Sequence, residues 1–250
     1  MIFNLVQSMH SNIAGVDEAG RGPVIGPLVI CCASCRREDE KSLKKLASKD
    51  SKQLTPAQRE EAYEKLKSFV KFRWVEVSAM DLNTLMKEMS LNDIEAKFMA
   101  ELIKKLDDGD VMIDMPDRYS WTFRKRMEKF GVKRFEAEHK ADENYPIVAA
   151  ASICAKILRD RKIEEIKKAT CDFGSGYPGD PKTVKALKDR EMRKTLEPFI
   201  RQRWKTLENI KQTRLFEGEA EEAGEKQSAE EGASLETPET EEEKIGESTD

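Results

Sequence analysis

Four carboxylates stand where the chain ends a strand or enters a helix. Asp17 and Glu18 follow one short apolar run, Asp114 closes another, and Asp142 precedes a long helical stretch. Side chains at strand ends are exposed by loops yet held on a rigid frame. Hard divalent cations take oxygen ligands. Four ionised carboxylates would balance two such ions, Mg2+ or Mn2+. A pair of metals about 4 Å apart can stabilise both the attacking and the leaving oxygen of a phosphodiester displacement. The chemistry these residues could do is therefore metal-assisted phosphodiester hydrolysis. The chain holds 48 acids, so spacing alone leaves other sets open, and Asp117 rivals Asp114. Neighbours on a regular strand point to opposite faces. Glu18 is expected to join Asp17 through a bend supplied by Ala19-Gly20-Arg21-Gly22-Pro23.

Gly20-Arg21-Gly22 suits close backbone approach. Two glycines leave amides unshielded, and an arginine between them can meet a phosphate. The same triplet also serves as a tight turn between two strands. Lys52 and Lys140 are candidate phosphate ligands or simply solvated charge. Arg124, Lys125, Arg126 and Lys129 form a basic helix face, while Trp121 and Phe123 are expected in the core. The two histidines and five cysteines give no second metal-binding pair beside Cys32-x-x-Cys35. Buried strand thiols in a reducing compartment are the expectation.

Elements must hold these groups. Ile13–Asp17 and Val24–Ala33 read as strands, joined by a Gly- and Pro-bounded turn. Thr55-Pro56-Ala57-Gln58 opens a helix with a capping box, running to about Phe69. Phe72–Val77 is a third strand. Ser78 and Asp81 open helical sequence that breaks near Ser90. Leu91, Ile94, Phe98, Leu102 and Leu106 mark an amphipathic helix. Val111–Ile113 is a fourth strand, Ser120–Phe130 a helix closed by Gly131, Val132–Glu136 a fifth strand, and Tyr145–Ala169 a long helix. The fold class is α/β: a mixed five-stranded sheet with helices on both faces, plus a small C-terminal helical segment.

Charge is divided along the chain. The net −4 conceals fourteen Asp and Glu against two lysines in residues 217–250. Residues 1–216 hold 34 acids and 42 Lys and Arg, a surplus of eight positive charges. The body can accept a polyanion. The tail has almost no large apolar residue and is expected to be disordered. It either competes with nucleic acid or solubilises the chain. No apolar run reaches the roughly 18 residues of a membrane helix, and the start has no basic leader, so a cytoplasmic protein with no membrane attachment is expected.

Four blocks carry a resemblance. They are Gly15-Val16-Asp17-Glu18-Ala19-Gly20-Arg21-Gly22-Pro23, Asp50-Ser51-Lys52-Gln53-Leu54, His139-Lys140-Ala141-Asp142 with Ala149–Lys156, and Gly174-Ser175-Gly176-Tyr177-Pro178 with Asp180-Pro181-Lys182-Thr183. In this order they resemble the type 2 ribonucleases H (ribonuclease HII). The last block, with Arg203-Trp204-Lys205-Thr206, is similar to the archaeal branch. The resemblance implies a ribonuclease H-like catalytic domain over 11–180, a helical appendage over 181–216 and the acidic tail over 217–250. It implies cutting of RNA in RNA–DNA hybrids and 5′ of ribonucleotides embedded in duplex DNA, leaving 3′-hydroxyl and 5′-phosphate ends. Asp17, Glu18, Asp114 and Asp142 would hold the two ions. Gly20, Arg21 and Gly22 would read the ribose 2′-hydroxyl, Lys52 and Lys140 would meet phosphates, and Tyr177 would sit at the RNA–DNA junction. Without the resemblance, Tyr177 reads as an ordinary loop aromatic after Gly-Ser-Gly. Gln212-Thr213-Arg214-Leu215-Phe216 begins like a sliding-clamp peptide, although Gly218 stands where a second aromatic is wanted. A monomer is expected. The rival readings are another ribonuclease H-like nuclease, such as a resolvase, and a catalytically dead binding module.

Overall fold

Alternating apolar residues on the first two strands explain why a sheet forms here and why both its faces are covered. In β1 (Asn12–Ala19) Ile13 faces one apolar cluster, while Ala14 and Val16 face another. In β2 (Leu28–Arg36) Val29, Cys31, Ala33 and Cys35 join the first, and Leu28, Ile30 and Cys32 the second. A strand buried on both sides reads as a continuous apolar run. The computed structural model describes residues 11–47 and 54–208. Its compact unit runs through Trp204, so the helical stretch after residue 180 packs as part of the same body.

The sheet order is β3-β2-β1-β4-β5, with β3 at Lys71–Val77, β4 at Asp110–Asp114 and β5 at Glu136–Glu138. The β1–β2 and β2–β3 pairs are antiparallel, and β1–β4 and β4–β5 are parallel. Three parallel strands therefore deliver their C-terminal ends to one edge of the molecule. Asp17-Glu18, Asp114 and the segment leading to Asp142 all arrive there.

Short helix α1 (Glu40–Leu46) and α2 (Pro56–Leu66) lie on one face with the 24-residue α7 (Pro146–Ala169). Helices α3 (Ala79–Leu85), α4 (Leu91–Ile103) and α5 (Ser120–Lys129) carry the other face. A four-residue α6 (Ala141–Asn144) holds Asp142, and α8 (Pro181–Lys188) and α9 (Arg190–Leu196) follow α7. The expected openings are present, Thr55 and Gln58 as a reciprocal box and Ser78 accepting the Asp81 N–H, and Ser90 adds a cap by accepting the Asp93 N–H. Beneath α7, Gly15 has no side chain to hold the helix away. A Cβ there would stand 2.4 Å from the Ile147 carbonyl carbon.

Three expectations are corrected. The second strand starts at Leu28 because Val24–Pro27 is committed elsewhere: Ile25 bridges Ile200 and Gly26 turns with a φ of 95°. The fifth strand starts at Glu136, because Val132 and Phe135 are buried turn anchors rather than strand residues. Trp121 is 60% exposed, while its near neighbour Phe123 is buried against Phe135 with edge-to-face rings 5.8 Å apart. Cys32 and Cys35 face opposite sides of the sheet, and the cysteines of the described residues are free thiols.

Candidate active site at the parallel strand ends

Register places the first three carboxylates. Val16 pairs with Ile113, so the next residues along these parallel strands are Asp17 and Asp114. Asp114 accepts the Ala141 N–H at 3.0 Å, which ties β4 to the start of the helix that carries Asp142. Asp17 is buried, and its carboxylate accepts the Glu18 N–H at 2.6 Å and bonds the Ser152 side chain of α7. Asp142 is buried as well.

Burial and crowding dominate the electrostatics. Burial pushes the Asp17 carboxyl up to about 8, helped by the charges of Asp114 and Asp142. Glu18 is also raised, by burial first and then by Glu95 and Asp17, with Arg21 pulling the other way. Asp17 and Glu18 do not meet by a bend. The strand pairs regularly with β2 through Ala19, so Asp17 faces α7 and Glu18 faces α4. What they share is Asp114, whose charge reaches both. Asp117 is turned away: it accepts from Arg126 Nε at 2.9 Å and from Asn92.

The donor set suits hard cations. Glu18 Oε2 is buried with no hydrogen-bond partner, and three mutually repelling carboxylates stand at one strand edge. A divalent cation would offset both penalties. Among the described residues no group of three or more His, Cys, Asp or Glu side chains could hold a metal ion as it stands. The fit rests on charge and oxygen chemistry.

Beside the carboxylates lies a loop built on glycine. Gly20 has a φ of 90°, and a Cβ there would come within 2.6 Å of the Pro27 carbonyl oxygen and 2.7 Å of Arg159 Cδ. Arg21 does not reach outward as expected. Its guanidinium pairs with fully buried Glu95 and donates to Asn92 Oδ1 at 2.8 Å. The outward surface of the loop is the exposed Gly22 backbone and the partly exposed Arg21 side chain. A Cβ on exposed Gly22 would stand 3.5 Å from the Tyr177 ring, so the loop and Tyr177 are neighbours. Two buried arginines fix this arrangement. Arg159 lies under the Tyr177 ring at 5.0 Å and donates to the Ser175 carbonyl at 3.0 Å. Arg201 donates to the carbonyls of Gly26 at 2.8 Å and Arg21 at 3.3 Å, and Trp204 Nε1 donates to Gly22 at 3.2 Å. Lys140 is exposed, left-handed at a φ of 58°, and paired with Glu143 at 2.9 Å. Lys52 lies outside the described residues.

Glu95, Ser152, Arg159 and Arg201 are site-building residues the sequence reading missed. A signal existed for Glu95. It follows Ile94 and sits one turn from Leu91, on the apolar face of α4, where a charge needs a buried partner.

The ribonuclease HII family model matches residues 14–207. This chain belongs to that family. Ribonuclease HII of Archaeoglobus fulgidus is 42% identical over 202 residues, covering 81% of this chain and 98% of the relative. The protein from Methanocaldococcus jannaschii is 42% identical over 229 residues, covering 82% and 98%. Among solved structures, ribonuclease HII in a complex with PCNA from A. fulgidus superposes with a TM-score of 0.73 at 41% identity, covering 79% of this chain and 96% of that one. Ribonuclease H2 of Pyrococcus horikoshii gives 0.71 at 38% identity, covering 81% and 98%. A Bst ribonuclease HIII bound to Mn2+, at 18% identity and 0.65, shares the fold and covers 81% and 70%. As a ribonuclease HII the chain is a ribonuclease H hydrolase acting on RNA–DNA hybrids. No described helix is long and apolar enough to cross a membrane.

Proposed function

We propose that this ribonuclease HII cuts the RNA strand of hybrids, and cuts 5′ of ribonucleotides embedded in duplex DNA, with two Mg2+ or Mn2+ ions. The observation that carries this is the buried, charge-crowded carboxyl of Asp17 beside Asp114 and Asp142, one residue from Glu18 and next to the Gly20–Gly22 loop. Asp17, Glu18, Asp114 and Asp142 would hold the ions. When bound, such cations supply a more acidic water and neutralise charge on the attacking and leaving oxygens.

The chain's own residues position the substrate. The Gly20–Gly22 backbone, held by Arg201 and Trp204, offers N–H groups and a close approach to a ribose 2′-hydroxyl, the group that separates RNA from DNA. Tyr177 presents a ring 40% exposed beside Gly22. It packs on a sugar that lacks that hydroxyl, placing the deoxyribonucleotide side of the junction. Lys140 and Lys52 meet flanking phosphates. The products carry a 3′-hydroxyl and a 5′-phosphate, as ribonucleotide excision during DNA replication and repair requires. The chain works as a cytoplasmic monomer. The A. fulgidus complex supports a sliding-clamp partner, engaged here through Gln212–Phe216, a segment outside the described residues.

The test is a DNA duplex carrying one ribonucleotide, with the cut mapped to the nucleotide and EDTA as control. A single nick 5′ of the ribonucleotide that EDTA abolishes is expected. A 2′,3′-cyclic phosphate product, or cutting of a four-way junction instead, would sink the reading.

A further inference from the structure

Tyr119 and Trp121 are left unexplained by the carboxylate site. Both are exposed at the start of α5, whereas Phe123 and Met127 of the same helix are buried. They follow Asp114 closely in the chain, at the edge where the carboxylates gather. Each ring carries a cation on its face: Arg118 Cζ lies 5.3 Å from the Tyr119 centroid and Lys125 Nζ 5.3 Å from that of Trp121. A His139 ring nitrogen lies 3.4 Å from the Arg118 carbonyl oxygen, joining this surface to the segment that runs into Asp142.

The charge is concentrated. Residues 118–134 hold seven Lys and Arg against one acid, Glu128. Not all of it faces outward. Arg126 is tied to Asp93 and Asp117, and Arg124 stacks on Phe135 at 4.7 Å. Arg118 and Lys125 are exposed on the ring-bearing side. An apolar protein partner gains little from aromatic faces already topped by like charges. A polyanion gains from both, because cations meet its phosphates while ring edges pack on its sugars.

We propose that Arg118, Tyr119, Trp121 and Lys125 dock the duplex arm flanking the scissile linkage. This rests on the hybrid-cutting reading above and extends it. A duplex seated on the carboxylates is a stiff rod and must run on past the active-site edge. The aromatic ridge starts five residues after Asp114, and Arg118 beside it meets His139, three residues before Asp142.

The test is binding of RNA–DNA hybrids in EDTA, so that no cut occurs. The duplexes should be one short enough to cover the carboxylates alone and others extended on either side. Tyr119→Ala with Trp121→Ala should weaken binding of one extended duplex by about fivefold or more per ring, and leave the short one nearly unchanged. Arg118→Ala with Lys125→Ala should lower the salt slope by about two, one per phosphate contact. Trp74→Ala, an exposed tryptophan on β3, is the control and should behave as the parent. All four target side chains are exposed, so melting temperatures should stay put, and kcat at saturating Mg2+ and substrate should hold while KM rises. Parent-like binding of every extended duplex by the ring variant overturns the proposal. So does an equal loss on the short duplex. A parent that binds but never cuts overturns the catalytic reading instead, and the binding comparison still decides the docking surface.

Discussion

Burial and neighbouring charge both push the Asp17 carboxyl up, as they do that of Glu18. A carboxyl held up at about 8 inside the fold and at 3.8 outside it favours the protonated native state. The sign follows directly: this stabilisation is present below pH about 4 and is lost as the pH rises through about 8. The metal-free enzyme should therefore be less stable at pH 8.5 than at pH 6, and divalent cations should restore it. Asp17→Asn keeps an acceptor for the Glu18 N–H but carries no charge. Its turnover should fall by roughly a thousandfold, about 4 kcal/mol of transition-state stabilisation. Its metal-free melting temperature at pH 8.5 should exceed the parent's. Calorimetry in EDTA alongside a cleavage assay reads both, and a variant no more stable than the parent would remove the charge-crowding account. The four carboxylates were legible because each sits next to an apolar run or a motif. Their second layer was not. Arg159 and Arg201 look like ordinary surface cations in sequence, and only the fold shows them buried beneath the Tyr177 ring and the glycine loop.

The elements act by bringing backbones close. Gly15 lets α7 lie against β1, and a methyl there would meet the Ile147–Val148 backbone at 2.4–2.5 Å. Neither partner can yield, because the contact is main chain on both sides. Gly15→Ala should cost about 3 kcal/mol, at the high end of overpacking, read as a lower denaturant midpoint with an unchanged slope. The loop pair responds differently. Arg159→Met preserves much of the buried volume but leaves the Ser175 carbonyl without its donor, for a cost of about 1–3 kcal/mol. With Tyr177 no longer supported, KM should rise more than kcat falls, and Arg159→Lys should recover only part, since an ammonium cannot reproduce the planar contact. The helix starts at Thr55 and Ser78 were readable because both residues announce themselves chemically, whereas Ser90 read only as a break and is a cap. Two strand starts, those of β2 and β5, were not readable. Val24–Pro27 and Val132–Phe135 are apolar because they are buried, and burial alone does not distinguish a ladder from a packed turn. The regular course of β1 through Glu18 was hidden for the opposite reason: Gly-Arg-Gly suggested a bend one residue too early.

At the scale of the whole chain, two opposite charges are covalently joined. The body carries a surplus of eight positive charges and residues 217–250 a net −12. Tethering a polyanion to a basic body raises the effective concentration at which the two charges meet. The segment either competes with substrate phosphates for the body's cations, a Coulombic effect that needs no specific contact, or only solubilises the chain. Such competition is screened by salt over a Debye length of about 10 Å at 0.1 M. Deleting residues 217–250 should therefore tighten hybrid binding strongly at 50 mM salt and little at 300 mM. It should also steepen the dependence of log Kd on log salt, since the released cations now neutralise substrate phosphates alone. Alanine substitution of Arg118 and Lys125 should reduce the gain from the deletion, because fewer cations remain for the tail to mask. A truncated enzyme whose affinity matches the full chain at every salt concentration would assign the acidic segment to solubility and leave the basic body unmasked from the start.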